Sequence, residues 1–262
     1  MGYTDLVDAM RMPASKRLAH WVAALRTPAQ STALEIPPKT GISIRSEIAQ
    51  SLSGVGVEFG AGAVETAFPV PAGVKILYAD LNPHEELSGR NYFQDRELVV
   101  TDFHTGIEEM DGIEPDTLDF LIASHVIEHT RNPIKALRLA YEKLRKGGRF
   151  VLVVPDREMT FDKTRPITTI ERLVADYLMP CRERDFEHYL EFFGRSFGQR
   201  DPVPSAKGVW ERGDDIHFHT WTYDSFREFL QHVIDRYAPW TSVWSHPRAS
   251  DQDNEFFYVL TK

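Results

Sequence analysis

The run Val57-Glu58-Phe59-Gly60-Ala61-Gly62 decides how this chain is read. An apolar stretch ending on an acid and two alternate glycines predicts a buried strand that turns sharply, with backbone open to a closely approaching ligand. A dinucleotide fingerprint needs a third glycine three residues after Gly62, where Glu65 stands. Its bulk and charge suit neither tight helix packing nor a pyrophosphate. The turn therefore points to a nucleoside without phosphates.

Working outward, residues 41–52 carry Ile42, Ile44, Ile48 and Leu52 at helical spacing just before this strand. After Gly62 a short helix is expected up to Phe68, stopped by Pro69 and Pro71. Residues 74–79 read as a second buried strand that ends in Asp80, placed to accept hydrogen bonds from both ribose hydroxyls. A third strand, 97–101, runs into Asp102-Phe103, a carboxylate for an exocyclic amine beside an apolar ring for a purine. Residues 117–123 form a fourth strand, and Ser124-His125-Val126-Ile127-Glu128-His129 leads into a helix over 133–145. Lys146-Gly147-Gly148 ends that helix, and 149–154 is a fifth, strongly apolar strand. Strands alternating with helices predict an α/β fold with a parallel sheet, whose ligands sit at the carboxyl ends of the strands. Glu58, Asp80, Asp102 and Ser124 all fall there.

At 262 residues the chain suits one α/β domain with an extra segment. A formal net charge of −9 and a pI near 5.6 argue against a nucleic-acid footprint and favour a small or neutral substrate. Cys181 is the sole cysteine, so neither an internal disulfide nor a cysteine-based zinc cluster can form, and a reducing cytoplasm is the expected setting. No run of apolar residues is long enough for membrane insertion, and no secretion signal is evident. Residues 3–26 suggest two short amphipathic helices broken at Pro13. They suit a homodimer contact or packing within one subunit, and the sequence leaves both open.

Glu58-x-Gly60-x-Gly62, Asp80, Asp102, the Ser124 to His129 run and Leu144-Arg145-Lys146-Gly147-Gly148, taken in series, resemble the class I S-adenosylmethionine-dependent methyltransferases. The resemblance covers residues 54–155. It implies a Rossmann-like, mostly parallel sheet of seven strands with helices on both faces and a reversed final hairpin, which 240–244 and 255–261 can supply. It also implies that Gly60 and Gly62 approach the methionine moiety, Asp80 the ribose, and Asp102 with the backbone at Phe103 the adenine. Ala63 departs from the pattern, since many members carry glycine there. Residues 1–50 are then an N-terminal helical extension, 51–155 and 216–262 the core, and 156–215 an inserted cap for the substrate.

His125-Val126-Ile127-Glu128-His129 also fits the H-x-x-E-H pattern of zinc peptidases. Those enzymes need the motif inside a regular helix, whereas here it follows a strand directly, so Glu128 and His129 read as a structural pair at the junction. His125 lies where the sulfonium methyl should point and is a candidate catalytic residue. In the insertion, 170–178 is amphipathic and Thr222-Tyr223-Asp224-Ser225 starts a helix over 223–236. His217-Phe218-His219 would put both histidines on one face of a strand, as candidate bases or, with Asp214 or Asp215, as metal ligands. Base chemistry is preferred, and no metal is assigned.

The resulting expectation is methyl transfer from S-adenosylmethionine to a hydroxyl of a sugar, nucleotide sugar or glycan, with His125, His217 or His219 removing the proton. The end of the fourth strand lacks the Asn/Asp-Pro-Pro-aromatic arrangement of amino-methylating enzymes. The 160–177 segment with His217-Phe218-His219 resembles bacterial methyltransferases of glycan assembly. C- or N-methylation of another small metabolite, or a non-catalytic cofactor-binding subunit, are the alternatives.

Overall fold

The computed structural model describes residues 44–88, 95–250 and 253–262. Strands β1 (Val55–Phe59), β2 (Lys75–Asp80), β3 (Phe103–His104), β4 (Leu118–Ser124), β5 (Leu144–Pro155), β6 (Ser242–His246) and β7 (Glu255–Thr261) form one sheet. Their order is β3-β2-β1-β4-β5-β7-β6. The first five are mutually parallel, and β7 runs antiparallel between β5 and β6, as the expected reversed hairpin. The central strands are apolar on both faces because both faces are covered. Phe150, Leu152 and Val154 of β5 enter one core, while Val151 and Val153 enter the other.

Helix α1 (Ile44–Gln50) covers the second face with Ile44, Ile48 and Ala49, and Leu52 just after it joins them. The helices expected over 3–26 lie outside the described residues. The first face is covered by α3 (Pro133–Lys143), α4 (Ile170–Leu178) and α7 (Tyr223–Arg236), following the short α2 (His84–Ser88). Asn132 caps α3 by accepting from the backbone N–H of Lys135 at 3.0 Å, with Pro133 pre-set in the first turn. Thr222 and Ser225 form a reciprocal capping box that starts α7 at the expected residue.

Three expectations are corrected. Residues 63–68 make one turn rather than a helix, with Thr66 N–H donating to the Ala63 carbonyl at 3.0 Å. A run this short before Pro69 cannot repay helix nucleation. The third strand is confined to Phe103–His104, because 97–99 pair with the glycine turn instead. Val64 N–H donates to the Glu97 carbonyl at 2.8 Å and Val99 N–H to the Gly62 carbonyl at 3.0 Å. That pairing satisfies loop backbone that would otherwise be left unbonded. Helix α3 stops at Lys143, since Leu144 already pairs with Leu118 and β5 continues through Gly147-Gly148.

Between β5 and α7 the chain adds α4, α5 (Arg182–Glu191) and α6 (Val203–Arg212). Helix α4 joins the main core through Leu173 and Val174, whereas Tyr189, Phe192, Ala206, Ile216 and Phe218 form a small core of their own. Among the described residues, no helix is long and apolar enough to cross a membrane.

Candidate active site

Two clefts open at the carboxyl ends of β1, β2 and β4, one of about 450 Å³ and one of about 1150 Å³, and Gly60, His125, His129 and Asp215 line both. The smaller is bounded by Gly60, Gly62, Asp80 and the segment Thr105 to Glu108. Gly60 and Gly62 both sit at φ +65°, which favours glycine, and a Cβ on Gly60 would come within 2.8 Å of Val126 Cγ2. Bare backbone therefore faces the cleft. Asp80 is buried at its floor, with Oδ1 accepting from Asn82 N–H at 2.8 Å. Leu81, 65% exposed, and Ile107 add apolar walls. An acid set for a diol, exposed backbone and flanking aliphatic groups fit an adenosine carrying a sulfonium side chain.

A family model described as a methyltransferase domain matches residues 10–237. The chain belongs to the methyltransferase-domain family. No curated protein matches the chain. Among solved structures, it is similar to a Methanococcus maripaludis protein described as an S-adenosyl-L-methionine-dependent methyltransferase, at 15% identity and TM-score 0.45, covering 84% of this chain and 83% of that one. A Listeria monocytogenes protein described as S-adenosylmethionine dependent matches at 15% identity and TM-score 0.42, over 79% of this chain and 89% of that one. The CurJ carbon methyltransferase matches at 16% identity and TM-score 0.42 over 80% of this chain, which spans only 48% of that chain.

The larger cleft of the methyltransferase holds a hydrogen-bonded chain of charges. Arg45 donates from Nε and Nη2 to Glu255 Oε1 and Oε2, at 2.8 and 2.7 Å, and from Nη2 to Ser124 Oγ at 3.0 Å. His125 Nε2 lies 2.8 Å from Glu255 Oε2. Burial alone would raise the Glu255 carboxyl, but the Arg45 and His125 hydrogen bonds outweigh it and bring the pKa to about 2. His125 has φ +54°, a strained conformation for a non-glycine residue, fixed in part by its N–H donating to the Val153 carbonyl at 2.9 Å. Glu58, also in the lining of this cleft, is fully buried, and burial lifts its pKa to about 7 against the pull of the Phe68 N–H and Arg45.

Deeper in the same cleft, the carbonyl of Glu128 accepts from Phe218 N–H at 2.7 Å and from His219 N–H at 3.2 Å. This tie brings His217 beside His129, ring centroids 4.6 Å apart. His129 Nδ1 meets Asp215 Oδ1 at 2.9 Å, and His217 Nδ1 meets Asp162 Oδ2 at 2.5 Å. Burial would lower His129, but the Asp215 hydrogen bond and the Glu128 and Asp215 charges raise its pKa to about 9.

Of the residues marked in the sequence, Gly60, Gly62 and Asp80 line the smaller cleft, and His125 stands between the two. Glu58 and Ser124 line the larger cleft instead. Asp102 and Phe103 line neither. Asp102 is exposed and accepts from the backbone N–H of Tyr78 at 2.9 Å, tying β2 to the start of β3, while Phe103 packs against the core. Thr105 to Glu108 line the smaller cleft where Asp102 and Phe103 were expected, because the strand begins later than its pattern implied. His217 lines the larger cleft, but His219 does not: it is fully buried against His188 and Trp221. Residues 217–220 form no strand, so the expected shared face does not arise. Burial, followed by the nearby His188 charge, holds the His219 pKa well below the ordinary histidine value.

Arg45, Glu255 and Asp162 were not marked by any sequence pattern. Arg45 and Glu255 are 210 residues apart, and only the pairing of β5 with β7 brings Glu255 to the site.

Proposed function

We propose that this methyltransferase O-methylates a hydroxyl of a sugar, nucleotide sugar or glycan, with cofactor in the smaller cleft and acceptor in the larger. The observation that carries the reading is His125, which borders both clefts and is oriented by a carboxylate; His129 shares both features, but its pKa of about 9 keeps it protonated and unfit as a base near neutral pH. S-Adenosylmethionine supplies an electrophilic methyl group and leaves as S-adenosylhomocysteine. Ionised Glu255 can only accept, so His125 donates from Nε2 and keeps the Nδ1 lone pair for a proton. The acceptor hydroxyl gives its proton to Nδ1 as its oxygen attacks the methyl carbon. Holding the two clefts in line is the fold's main contribution.

The acceptor class is supported by the lining of the larger cleft, which sets Arg45, Thr160 and Asn254 among the partly exposed Met159 and Phe161. Polar groups beside an open aromatic face suit a polyhydroxylated ring. Met159, Thr160 and Phe161 belong to the 156–215 segment, which is the reason for reading it as an acceptor cap. The test is transfer of labelled methyl from S-adenosylmethionine to a panel of nucleotide sugars and glycans, with the product located by NMR. An O-methyl product lost in His125→Ala, with S-adenosylhomocysteine binding retained, is expected. A methyl group on carbon or nitrogen, or full activity of the variant, would overturn the reading.

A further inference from the structure

Three histidines of the larger cleft share one arrangement, in which a carboxylate grips one ring nitrogen of each. His125 Nε2 is on Glu255, His129 Nδ1 on Asp215 and His217 Nδ1 on Asp162. Glu128 lies among them, with Oε1 3.8 Å from both His129 Nε2 and His125 Nδ1, too far for a hydrogen bond. Its side chain is 1% exposed, and neither carboxylate oxygen has a hydrogen-bond partner among the described residues. A buried carboxylate left in that state is costly, and native structures rarely keep one without a reason.

One ligand atom each from Glu128, His129 and His217 lie within 4.8 Å of one another. Two donors that share a metal at about 2.1 Å stand roughly 3–4 Å apart. A small side-chain movement therefore closes the trio. We infer that Glu128, His129 and His217 form a binding site for a divalent transition-metal ion in the larger cleft, with Asp215 and Asp162 fixing the two imidazoles. A carboxylate behind each ligating histidine sets the tautomer and aims the other nitrogen at the ion. Two imidazoles and one carboxylate suit Zn²⁺, Mn²⁺ or Fe²⁺, whereas Mg²⁺ prefers an all-oxygen shell.

The H-x-x-E-H motif thus contributes its last two residues, on a single 3₁₀ turn (Ile127–His129), and takes its third ligand from His217 rather than from His125. Three protein ligands leave positions open in the cleft that all three residues line. An acceptor presenting a hydroxyl next to a second oxygen would occupy them, and this step alone rests on the proposed acceptor site.

The test uses the full chain, freed of metal by a chelator, titrated calorimetrically with Zn²⁺, Mn²⁺ and Mg²⁺, with S-adenosylhomocysteine titrated in parallel. The expected result is one equivalent of Zn²⁺, one equivalent of Mn²⁺ bound more weakly to the metal-free protein, and no uptake of Mg²⁺, with spin-echo modulation from two imidazole nitrogens on the Mn²⁺ form. Glu128→Gln and His217→Ala should each weaken binding about a hundredfold, and Asp162→Asn about tenfold. Glu128→Gln keeps the side chain's shape, so unchanged S-adenosylhomocysteine affinity in that variant separates metal loss from misfolding. Equal Zn²⁺ affinity in wild type and Glu128→Gln would overturn the inference. Failure to bind S-adenosylhomocysteine would bear on the cofactor cleft, not on the metal site.

Discussion

Nε2 of His125 lies 2.8 Å from Oε2 of Glu255, although 130 residues separate the two in sequence. The dyad predicts a particular kinetic signature. Glu255→Gln removes the charge that steadies a protonated imidazole, so kcat should fall by about a hundredfold or more, the usual scale for general-base catalysis. S-Adenosylhomocysteine affinity should not change. Combining Glu255→Gln with His125→Ala should cost little beyond the larger single effect, because the residues act as a unit. Additive losses in a steady-state assay would exclude the dyad.

Asp80→Ala tests the cofactor cleft. Hydrogen bonds to a charged group contribute about 1.5–3 kcal/mol, so affinity for S-adenosylmethionine should drop roughly ten- to a hundredfold by calorimetry. Wild-type affinity in the variant would place the ribose elsewhere.

Gly60→Ala should damage the same cleft through sterics. The new Cβ meets Val126 Cγ2 at 2.8 Å on a residue held at φ +65°, and left-handed backbone alone costs an L-residue about 1–2 kcal/mol. Reduced thermal stability together with weaker cofactor binding is expected. An unchanged melting temperature would show that the turn can relax.

Glu58 predicts a pH dependence of stability. Its carboxyl is fully buried with a folded-state pKa of about 7, above the unfolded value of 4.5. The folded state therefore holds a proton that the unfolded state has released. Its contribution is complete below pH 4.5 and is lost as the pH rises to about 7, for a total of about 3 kcal/mol by linkage. Urea denaturation across that interval should show the decline, and Glu58→Gln should flatten it. A slope that persists in the variant would assign it to other groups.

His219→Ala should act on stability and leave cofactor affinity alone, since the ring is buried against His188 and Trp221. Truncating a side chain of this size in a core costs about 3 kcal/mol. Lost cofactor binding without lost stability would return His219 to the site.

What the sequence revealed follows from which forces are local. Strands β1, β2, β4 and β5 were legible because residues such as Leu121–Ala123 and Val151–Val154 are apolar on both faces, a pattern that only a covered sheet explains. The turn at Gly60 and Gly62 was legible because a left-handed backbone favours glycine, and Asp80 because an acid closing an apolar run marks a strand end. Asp102 falls outside both clefts, since an acid after an apolar run signals a strand end, and here it accepts from the backbone of Tyr78 before a strand that begins only at Phe103. His217 and His219 misled as a pair. Two-residue alternation implies a shared face only in a strand, and the bonds from 218 and 219 to the Glu128 carbonyl hold this segment in another shape. Arg45 and Glu255 carry no local signature, because their roles arise from contacts across the sheet.

The antiparallel seat of β7 between β5 and β6 also bears on how the protein is made. As the chain leaves the ribosome, the parallel half up to Pro155 can assemble while β5 still exposes one unpaired edge. That edge carries Phe150 to Val154 without a charge or an internal proline to blunt it, and such an edge recruits other chains. It stays open until Glu255–Thr261 arrives. The strand that delivers Glu255 is therefore also the one that ends this exposure, so a nascent chain lacks the His125–Glu255 contact and keeps an open sheet edge until the same final pairing step.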